Sequence, residues 1–177
     1  ILDNNLIGET KVTISTAGIA SVMDQAINDA TFPRVRWAVS LHSAIEETRK
    51  QIMPSHQAGF LDFLVRWARD YDLKVPSRSH FIGFEYLMLS GINDDDKHLK
   101  ALIKYCKKFE RLRINLIPYN NTGSEPIDNI NYFARTSPEK IDAWHSALMK
   151  AGFTSTIRYS QGQDIMAACG QLSNAVC

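Results

Sequence analysis

From Lys11 onward, short apolar runs rich in β-branched and aromatic residues alternate with longer stretches that have the periodicity of amphipathic helices. The predicted strands are residues 11–15, 34–41, 81–89, 112–119 and 154–159, and the predicted helices are residues 20–30, 44–51, 58–73, 94–109 and 137–151. This alternation is typical of repeated β-α units around a largely parallel sheet. The sequence therefore predicts an α/β fold, either an open doubly wound sheet or part of a barrel.

Two of the predicted helices carry recognisable end signals. In the last helix, Ser137 is the expected N-cap, Pro138 occupies the first helical position and Gly152 follows the end. In the helix before it, Asn93 or Asp94 is the expected cap.

Length and charge limit the class of protein. At 177 residues and 45% hydrophobic content, residues 1–177 are expected to form a single domain around one core. The chain has no apolar run of the roughly 20 residues that a membrane helix needs and no signal-peptide pattern, so we expect a cytoplasmic protein. A net charge of +1 gives no overall preference for nucleic acid. Basic residues do cluster in Lys97–Arg113, but a solvated helix face explains them at least as well.

The three cysteines, Cys106, Cys169 and Cys177, are far apart and irregularly spaced. Their spacing argues against a disulfide framework and against a C-x-x-C metal site. Cys106 lies in a helix pattern and is expected to be a small buried hydrophobic residue. Cys169 is unusual because it stands between Ala168 and Gly170, with polar residues nearby.

Polar side chains that do not carry a charge follow several of the predicted strands. They belong to the segments S-T-A-G (15–18), S-L-H (40–42), I-P-Y-N-N (117–121) and R-Y-S-Q-G (158–162). Ligands of parallel α/β folds bind beyond the carboxyl ends of the strands. These groups suit a nucleoside and an amino acid better than a polyphosphate, because the sequence has no Gly-rich phosphate loop.

Each of these residues also has a purely structural interpretation. Ser15 and Ser40 can cap the following helices, His42 can be a structural histidine with satisfied hydrogen bonds, and Asn120 and Asn121 can be turn residues. Their coincidence at successive strand ends is what favours a ligand site.

Six ordered blocks carry a family resemblance that covers nearly the whole chain. They are K-V-T-I-S-T-A-G (11–18), W-A-V-S-L-H (37–42), R-x-x-I-M-P (49–54), F-E-Y-L-M-L-S-G-I-N-D (84–94), I-N-L-I-P-Y-N (114–120) and D-I-M-A-A-C-G-Q-L (164–172). Together they closely resemble the radical S-adenosylmethionine RNA methyltransferases of the RlmN/Cfr type. The resemblance implies that the chain is the C-terminal part of a partial (β/α) radical-SAM barrel.

The resemblance also implies an activity. Enzymes of this family methylate carbon 2 of one adenine in 23S rRNA and, in many bacteria, of an adenine in certain tRNAs; the Cfr branch methylates carbon 8. In the family's scheme a cysteine first takes a methyl group from S-adenosylmethionine, and by resemblance that cysteine is Cys169. A methyl-accepting sulfur must be a reachable thiolate, which the small neighbours of Cys169 would allow. The alternative interpretation is an inert buried cysteine beside two alanines.

Cofactor contacts carry over residue by residue. By resemblance Ser15, Ser40, Leu41, His42 and Asn120 bind S-adenosylmethionine. The family also uses a [4Fe–4S] cluster and receives its electron from a donor such as flavodoxin or ferredoxin. The expected partners are therefore 23S rRNA, tRNA and an electron donor, without a membrane.

Several family features are missing from the sequence. It has no C-x-x-x-C-x-x-C cluster motif, no G-E-P stretch and no second catalytic cysteine, and it begins with Ile rather than Met. We therefore expect a fragment whose cluster ligands lie outside the chain and which is inactive alone. Beside Cys169 the sequence reads Q-G-Q-D-I-M where the family commonly has R-G-D-D-I-D, which leaves the RNA target open.

Three alternatives stay open at this point. One is a Cfr-like C8 methyltransferase or a diverged paralogue, which has the same carrier cysteine and cofactor contacts. Another is a non-catalytic module that binds nucleosides or RNA. The last is an iron–sulfur redox protein, which would leave Cys169 without a purpose. A partial barrel would also expose a sheet edge through which copies could associate.

Overall fold

The computed structural model describes residue 8 and residues 11–76, 79–120 and 133–159. Within these residues the strands are β1 (Thr13–Thr16), β2 (Arg36–Ser40), β3 (Ile82–Met88), β4 (Leu112–Pro118) and β5 (Thr154–Ile157). The helices are α1 (Ala20–Asn28), α2 (Glu46–Ile52), α3 (Phe60–Lys74), α4 (Asp96–Cys106) and α5 (Pro138–Lys150). Each predicted strand and helix is confirmed, and no end differs from its prediction by more than three residues.

All four strand pairings are parallel, and the strand order in the sheet follows the chain from β1 to β5. A helix therefore lies between each strand and the next one in the sheet, as repeated β-α units require. The predicted α/β fold with a largely parallel sheet is confirmed.

One face of the sheet is apolar and carries the core. Alternate strand residues such as Trp37, Val39, Phe84 and Tyr86 point to this face, where they join one cluster with residues of four helices. The helix residues of that cluster include Met23 of α1, Trp67 of α3, Leu102 of α4 and Trp144 of α5. These four helices therefore cover the same side of the sheet.

The opposite face has a different chemistry. Its side chains include Ser15, Ser40, Glu85, Asn115 and Thr156, which alternate with the apolar positions along their strands. A doubly wound sheet would be buried by helices on both faces. Helices on one face and a polar opposite face are the arrangement of a barrel wall, so the structure favours the barrel interpretation over the doubly wound one.

The helix ends test the predicted caps. The Ser137 hydroxyl accepts a hydrogen bond from the Lys140 N–H at 3.4 Å, and Gly152 follows α5 with a φ of 91°, as expected. For α4 the prediction was wrong, because Asp95 is the N-cap and accepts from the His98 N–H at 2.9 Å. Asn93 and Asp94, which directly precede Asp95, are buried and bond other groups.

Two further findings concern cysteine and membranes. Cys106 is fully buried in the core, and burial raises the pKa of its thiol, which agrees with its predicted role as a small hydrophobic residue. Among the described helices, none combines the length and the apolar character that a membrane crossing demands.

Candidate cofactor site at the carboxyl edge of the sheet

The backbone turn that follows β1 is held by a local hydrogen bond and by close packing against Phe60. The Thr16 hydroxyl accepts a hydrogen bond from the Gly18 N–H at 3.1 Å, and Gly18 has a φ of 86°. A Cβ atom on Gly18 would lie 2.5 Å from Cζ of Phe60, a residue that is 1% exposed. Both the left-handed backbone and the close approach to Phe60 therefore require glycine here.

A buried arginine supports the same turn. The Arg49 side chain has no exposed surface, and its guanidinium lies 4.3 Å from the centre of the Phe60 ring. Its Nη1 contacts Nδ1 of His56 at 3.1 Å, and its Nη2 lies 3.5 Å from the Ala17 carbonyl. Burial lowers the pKa of Arg49 from its usual value. Arg49 and Phe60 thus pack against residues 17 and 18 and support the turn.

The segment after β2 bends sharply around one carbonyl of β3. The N–H groups of Leu41 and His42 both donate to the Glu85 carbonyl, at 3.0 Å and 3.3 Å. His42 has a φ of 54°, a left-handed conformation that is uncommon outside glycine. The bend leaves the S-L-H segment at the carboxyl edge of the sheet, beside the end of β1.

The protonation state of His42 follows from its contacts. Its Nδ1 accepts a hydrogen bond from the Leu87 N–H at 3.0 Å, so the proton of the neutral ring resides on Nε2. Burial, together with the nearby positive charge of Arg49, lowers the pKa of His42 to about 4. At neutral pH His42 is therefore an uncharged imidazole with one N–H left to donate.

Asn93 holds this segment in place. Its amide NH₂ donates to the carbonyls of His42 and Leu87, each at 2.8 Å, and its amide oxygen accepts from the Leu89 N–H at 2.7 Å. The Asn93 carbonyl accepts from the Tyr86 hydroxyl at 2.7 Å. Asn93 has no exposed surface, so these bonds fix the end of β3 against the segment that follows β2.

A row of polar residues crosses the polar face just inside the edge. Ser40 pairs in register with Glu85, Glu85 with Asn115, and Asn115 with Thr156. The Asn115 amide donates to Oε1 of Glu85 at 2.7 Å, and the Thr156 hydroxyl donates to Oδ1 of Asn115 at 2.5 Å. The row therefore joins β3, β4 and β5 through side chains as well as through the backbone.

Three of the predicted binding residues lie at or near the carboxyl edge of the sheet. Ser15 is exposed on β1, Ser40 ends β2, and half-buried Asn120 lies two residues beyond the end of β4. Neither Ser15 nor Ser40 is a helix cap, because α1 and α2 have Ile19 and Ile45 at their N-caps. The structural interpretation of the two serines as caps was therefore wrong.

Leu41 and Cys169 stand apart from the other candidates. The Leu41 side chain has no exposed surface, and its N–H and carbonyl already bond Glu85 and Ser43. Its contact with the cofactor stays a prediction. Cys169 lies outside the described residues, as does Asn121. The role of Cys169 also stays a prediction.

Three residues of the site were not predicted from the sequence. Glu85 sits in an apolar strand, Arg49 in a helix pattern, and Asn93 was assigned to a helix cap. The signal for Glu85 was a lone carboxylate among seven residues of a buried strand.

The low pKa of His42 predicts a loss of stability in acid. Because the ring titrates near 6.5 when unfolded and near 4 when folded, the unfolded state binds more protons between these values. The free energy of unfolding should therefore fall by about 2 kcal/mol between pH 7 and pH 5, and level off below the folded pKa. Urea unfolding at several pH values measures this slope.

The matched variant is His42→Asn, because asparagine tolerates a left-handed backbone and does not titrate in this range. The pH dependence between 7 and 5 should be weaker in this variant by about the same 2 kcal/mol. An unchanged slope would show that His42 is not the group responsible.

Comparison with known proteins places this geometry in context. No protein-family model matches the chain. A curated protein from Flavobacterium johnsoniae, named as a probable dual-specificity RNA methyltransferase RlmN, is 40% identical over 164 residues, covering 93% of this chain and 44% of the relative. A protein of the same name from Streptococcus mutans is 36% identical over 172 residues, covering 96% and 45%. The chain spans about half the length of the curated relatives it matches.

Solved structures similar to the chain include the following two. A radical SAM methyltransferase from Sphaerobacter thermophilus has a TM-score of 0.79 and 31% identity, covering 93% of this chain and 45% of that one. A domain of pyruvate-formate lyase-activating enzyme from Bacteroides vulgatus has a TM-score of 0.61 and 17% identity, covering 82% of this chain and 80% of that one. At the lower identity the likeness concerns the fold alone.

Proposed function

This chain is a homologue of the RlmN-type radical SAM RNA methyltransferases over about half of their length, and from this premise we propose that it binds S-adenosylmethionine within such an enzyme. The complete enzyme methylates carbon 2 of an adenine in 23S rRNA, and of one in tRNA, through a methyl group carried on Cys169. The homology to proteins named as RNA methyltransferases is the observation that carries the proposal.

The chemistry of the carboxyl edge supports S-adenosylmethionine as the ligand. Ser15, Ser40 and Asn120 offer neutral donors and acceptors, and His42 adds one N–H donor without a charge. Such a set suits a ligand that combines a nucleoside with an amino acid. S-adenosylmethionine supplies the methyl group, while these residues orient it.

The described residues do not fit the iron–sulfur cluster of the family. A [4Fe–4S] cluster is held by cysteine thiolates, whereas Cys106 is the one cysteine in the described part of the chain and is fully buried. Nor do three or more His, Cys, Asp or Glu side chains in that part converge as metal ligands.

In this proposal the Cys169 thiolate takes the methyl group from S-adenosylmethionine, and S-adenosylhomocysteine leaves. The sequence gives Cys169 two small neighbours, Ala168 and Gly170, which suit a sulfur that has to be reached. The adenine carbon is too electron-poor to attack a methylsulfonium directly, and this is why a carrier is needed. An electron donor of the flavodoxin or ferredoxin class and a cytoplasmic location belong to the same proposal.

The product nucleoside tests the proposal. The protein expressed from its complete reading frame, with S-adenosylmethionine and a reductant, is incubated with 23S rRNA and with tRNA, and the digested nucleosides are identified by mass spectrometry and chromatography. We expect 2-methyladenosine. Methylation at carbon 8 would replace the proposal with a Cfr-like activity, and unmodified RNA would overturn it.

Loss of one edge residue should weaken cofactor binding. Ser40→Ala or Asn120→Ala should each reduce the affinity for S-adenosylmethionine by about 1–3 kcal/mol, because one buried hydrogen bond is lost. Isothermal titration calorimetry measures the change. Thr13→Ala is the matched control, because Thr13 is exposed at the amino end of β1, away from the edge. Native affinity in Ser40→Ala would remove that residue from the site.

A further inference from the structure

One carboxylate on the polar face has an unused hydrogen-bonding capacity. Glu85 is 9% exposed, and its Oε1 accepts from Asn115. Its Oε2 is shielded from solvent and accepts no hydrogen bond in the described part of the chain. Buried carboxylate oxygens normally have hydrogen-bond partners, so this atom requires an explanation.

The neighbouring arginine does not satisfy Oε2. Nη1 of Arg158 lies 3.8 Å away, beyond hydrogen-bond distance, and the Arg158 side chain is 70% exposed. Arg158 is the exposed member of this ion pair, whereas the Glu85 side chain is 11% exposed, so water screens the arginine end of the contact. Arg158 can therefore swing aside and leave Oε2 to a ligand that enters along the polar face.

The position of Glu85 connects it to the proposed cofactor site. It is the register partner of Ser40, and its main-chain carbonyl holds the Leu41 and His42 N–H groups. Side chains of register partners project from the same face of a sheet. A ligand that contacts Ser40 therefore lies directly beside the Glu85 carboxylate.

A carboxylate selects its partner by chemistry. It accepts hydrogen bonds only, so it repels the ligand's own carboxylate and favours donor groups. The Ser40 hydroxyl beside it can donate or accept. A carboxylate next to a hydroxyl matches the two adjacent hydroxyls of a ribose, as acidic residues do in dinucleotide-binding folds.

We propose that Oε2 of Glu85 accepts a hydrogen bond from a ribose hydroxyl of S-adenosylmethionine, which makes Glu85 a specificity-determining residue for the ribose. This inference rests on the proposed function, because it takes S-adenosylmethionine as the ligand. The Asn115 amide keeps the carboxylate in place by donating to its other oxygen, Oε1.

The test combines one variant with altered ligands. Binding of S-adenosylmethionine and of its 2′-deoxy and 3′-deoxy analogues is measured by calorimetry, without reductant, in the protein from the complete reading frame. Glu85→Gln keeps the size of the side chain and an oxygen for Asn115, but replaces the free acceptor with an NH₂ donor. We expect it to weaken S-adenosylmethionine binding about tenfold.

The decisive result is whether Glu85→Gln loses the difference in affinity between S-adenosylmethionine and its deoxy analogues. In the native protein, removal of the contacted hydroxyl should weaken binding about tenfold, whereas in Glu85→Gln the same removal should have almost no effect. The proposal would be overturned if Glu85→Gln bound S-adenosylmethionine with native affinity. It would also be overturned if each deoxy analogue lost the same affinity in Glu85→Gln as in the native protein. Failure of the native protein to bind S-adenosylmethionine would instead overturn the proposed function, and this inference with it.

Thr156→Val is the matched control. It removes the far end of the same row, where the exposed Thr156 hydroxyl bonds Asn115 and not Glu85. We expect native discrimination between the ribose analogues in this variant. A loss of discrimination in Thr156→Val equal to that in Glu85→Gln would mean that the row is structural, and would refute direct contact by Glu85.

Discussion

Cys169→Ala in the protein from the complete reading frame is expected to abolish RNA methylation, to below one part in a thousand of native product. The reason is chemical, because alanine has no sulfur to accept the methyl group and the proposed route offers no other carrier. Mass spectrometry of the digested nucleosides measures the product, and peptide mass mapping of the native protein should find one added methyl on the peptide that contains Cys169.

Cys106→Ala is the matched control for this experiment. The Cys106 thiol is fully buried, and burial raises its pKa, so it is neither reachable nor a thiolate. This variant should retain methylation at a temperature where it is folded. Substantial product from Cys169→Ala would refute the carrier role, and an unmodified Cys169 in active native protein would point to a different route.

Asn93→Ala is expected to cause the largest loss of stability, about 4 kcal/mol in the free energy of unfolding. The substitution leaves the part-buried His42 and Leu87 carbonyls and the buried Leu89 N–H without their hydrogen-bond partner. Each buried backbone group left unsatisfied costs on the order of 1–3 kcal/mol. Chemical denaturation followed by circular dichroism measures the change.

Two further variants identify the cause. Asn93→Asp keeps the size and the acceptor for Leu89 but turns the two donated hydrogen bonds into repulsion, so it should be destabilised at neutral pH as well. Asn28→Ala, at an exposed asparagine, should change stability by about 0.5 kcal/mol or less. A native-like stability of Asn93→Ala would mean that water replaces the lost bonds.

The sequence was informative where a signal is local. The strands could be placed because runs such as residues 81–89 are apolar and β-branched or aromatic, and α5 because Ser137, Pro138 and Gly152 mark its ends. The cap of α4 was misplaced because three acidic residues stand in a row, and all of Asp94, Asp95 and Asp96 have a suitable side chain. Tertiary contacts decide among them, since Asp94 is buried against Thr136 and Lys140.

Residues that depend on register could not be predicted. Glu85 and Asn115 are 30 positions apart and meet only because β3 and β4 pair in one register. Arg49 looked like an ordinary charged helix residue, and only the packing of Phe60 and Ala17 around it reveals its place under the first turn. Ser15, Ser40 and Asn120 could be predicted, because they lie at or near strand ends and strand ends can be read from the sequence.

The order of the strands has a consequence for synthesis on the ribosome. Each strand pairs with the strand that precedes it in the chain, so the nascent polypeptide can extend the sheet by one β-α unit at a time. No strand from β2 to β5 has to wait for a later segment before it finds its first neighbour. Pairing between sequence neighbours also shortens the loops that close during folding. A translational pause after β2 or any later strand would therefore leave a partial sheet with native pairings rather than unpaired strands.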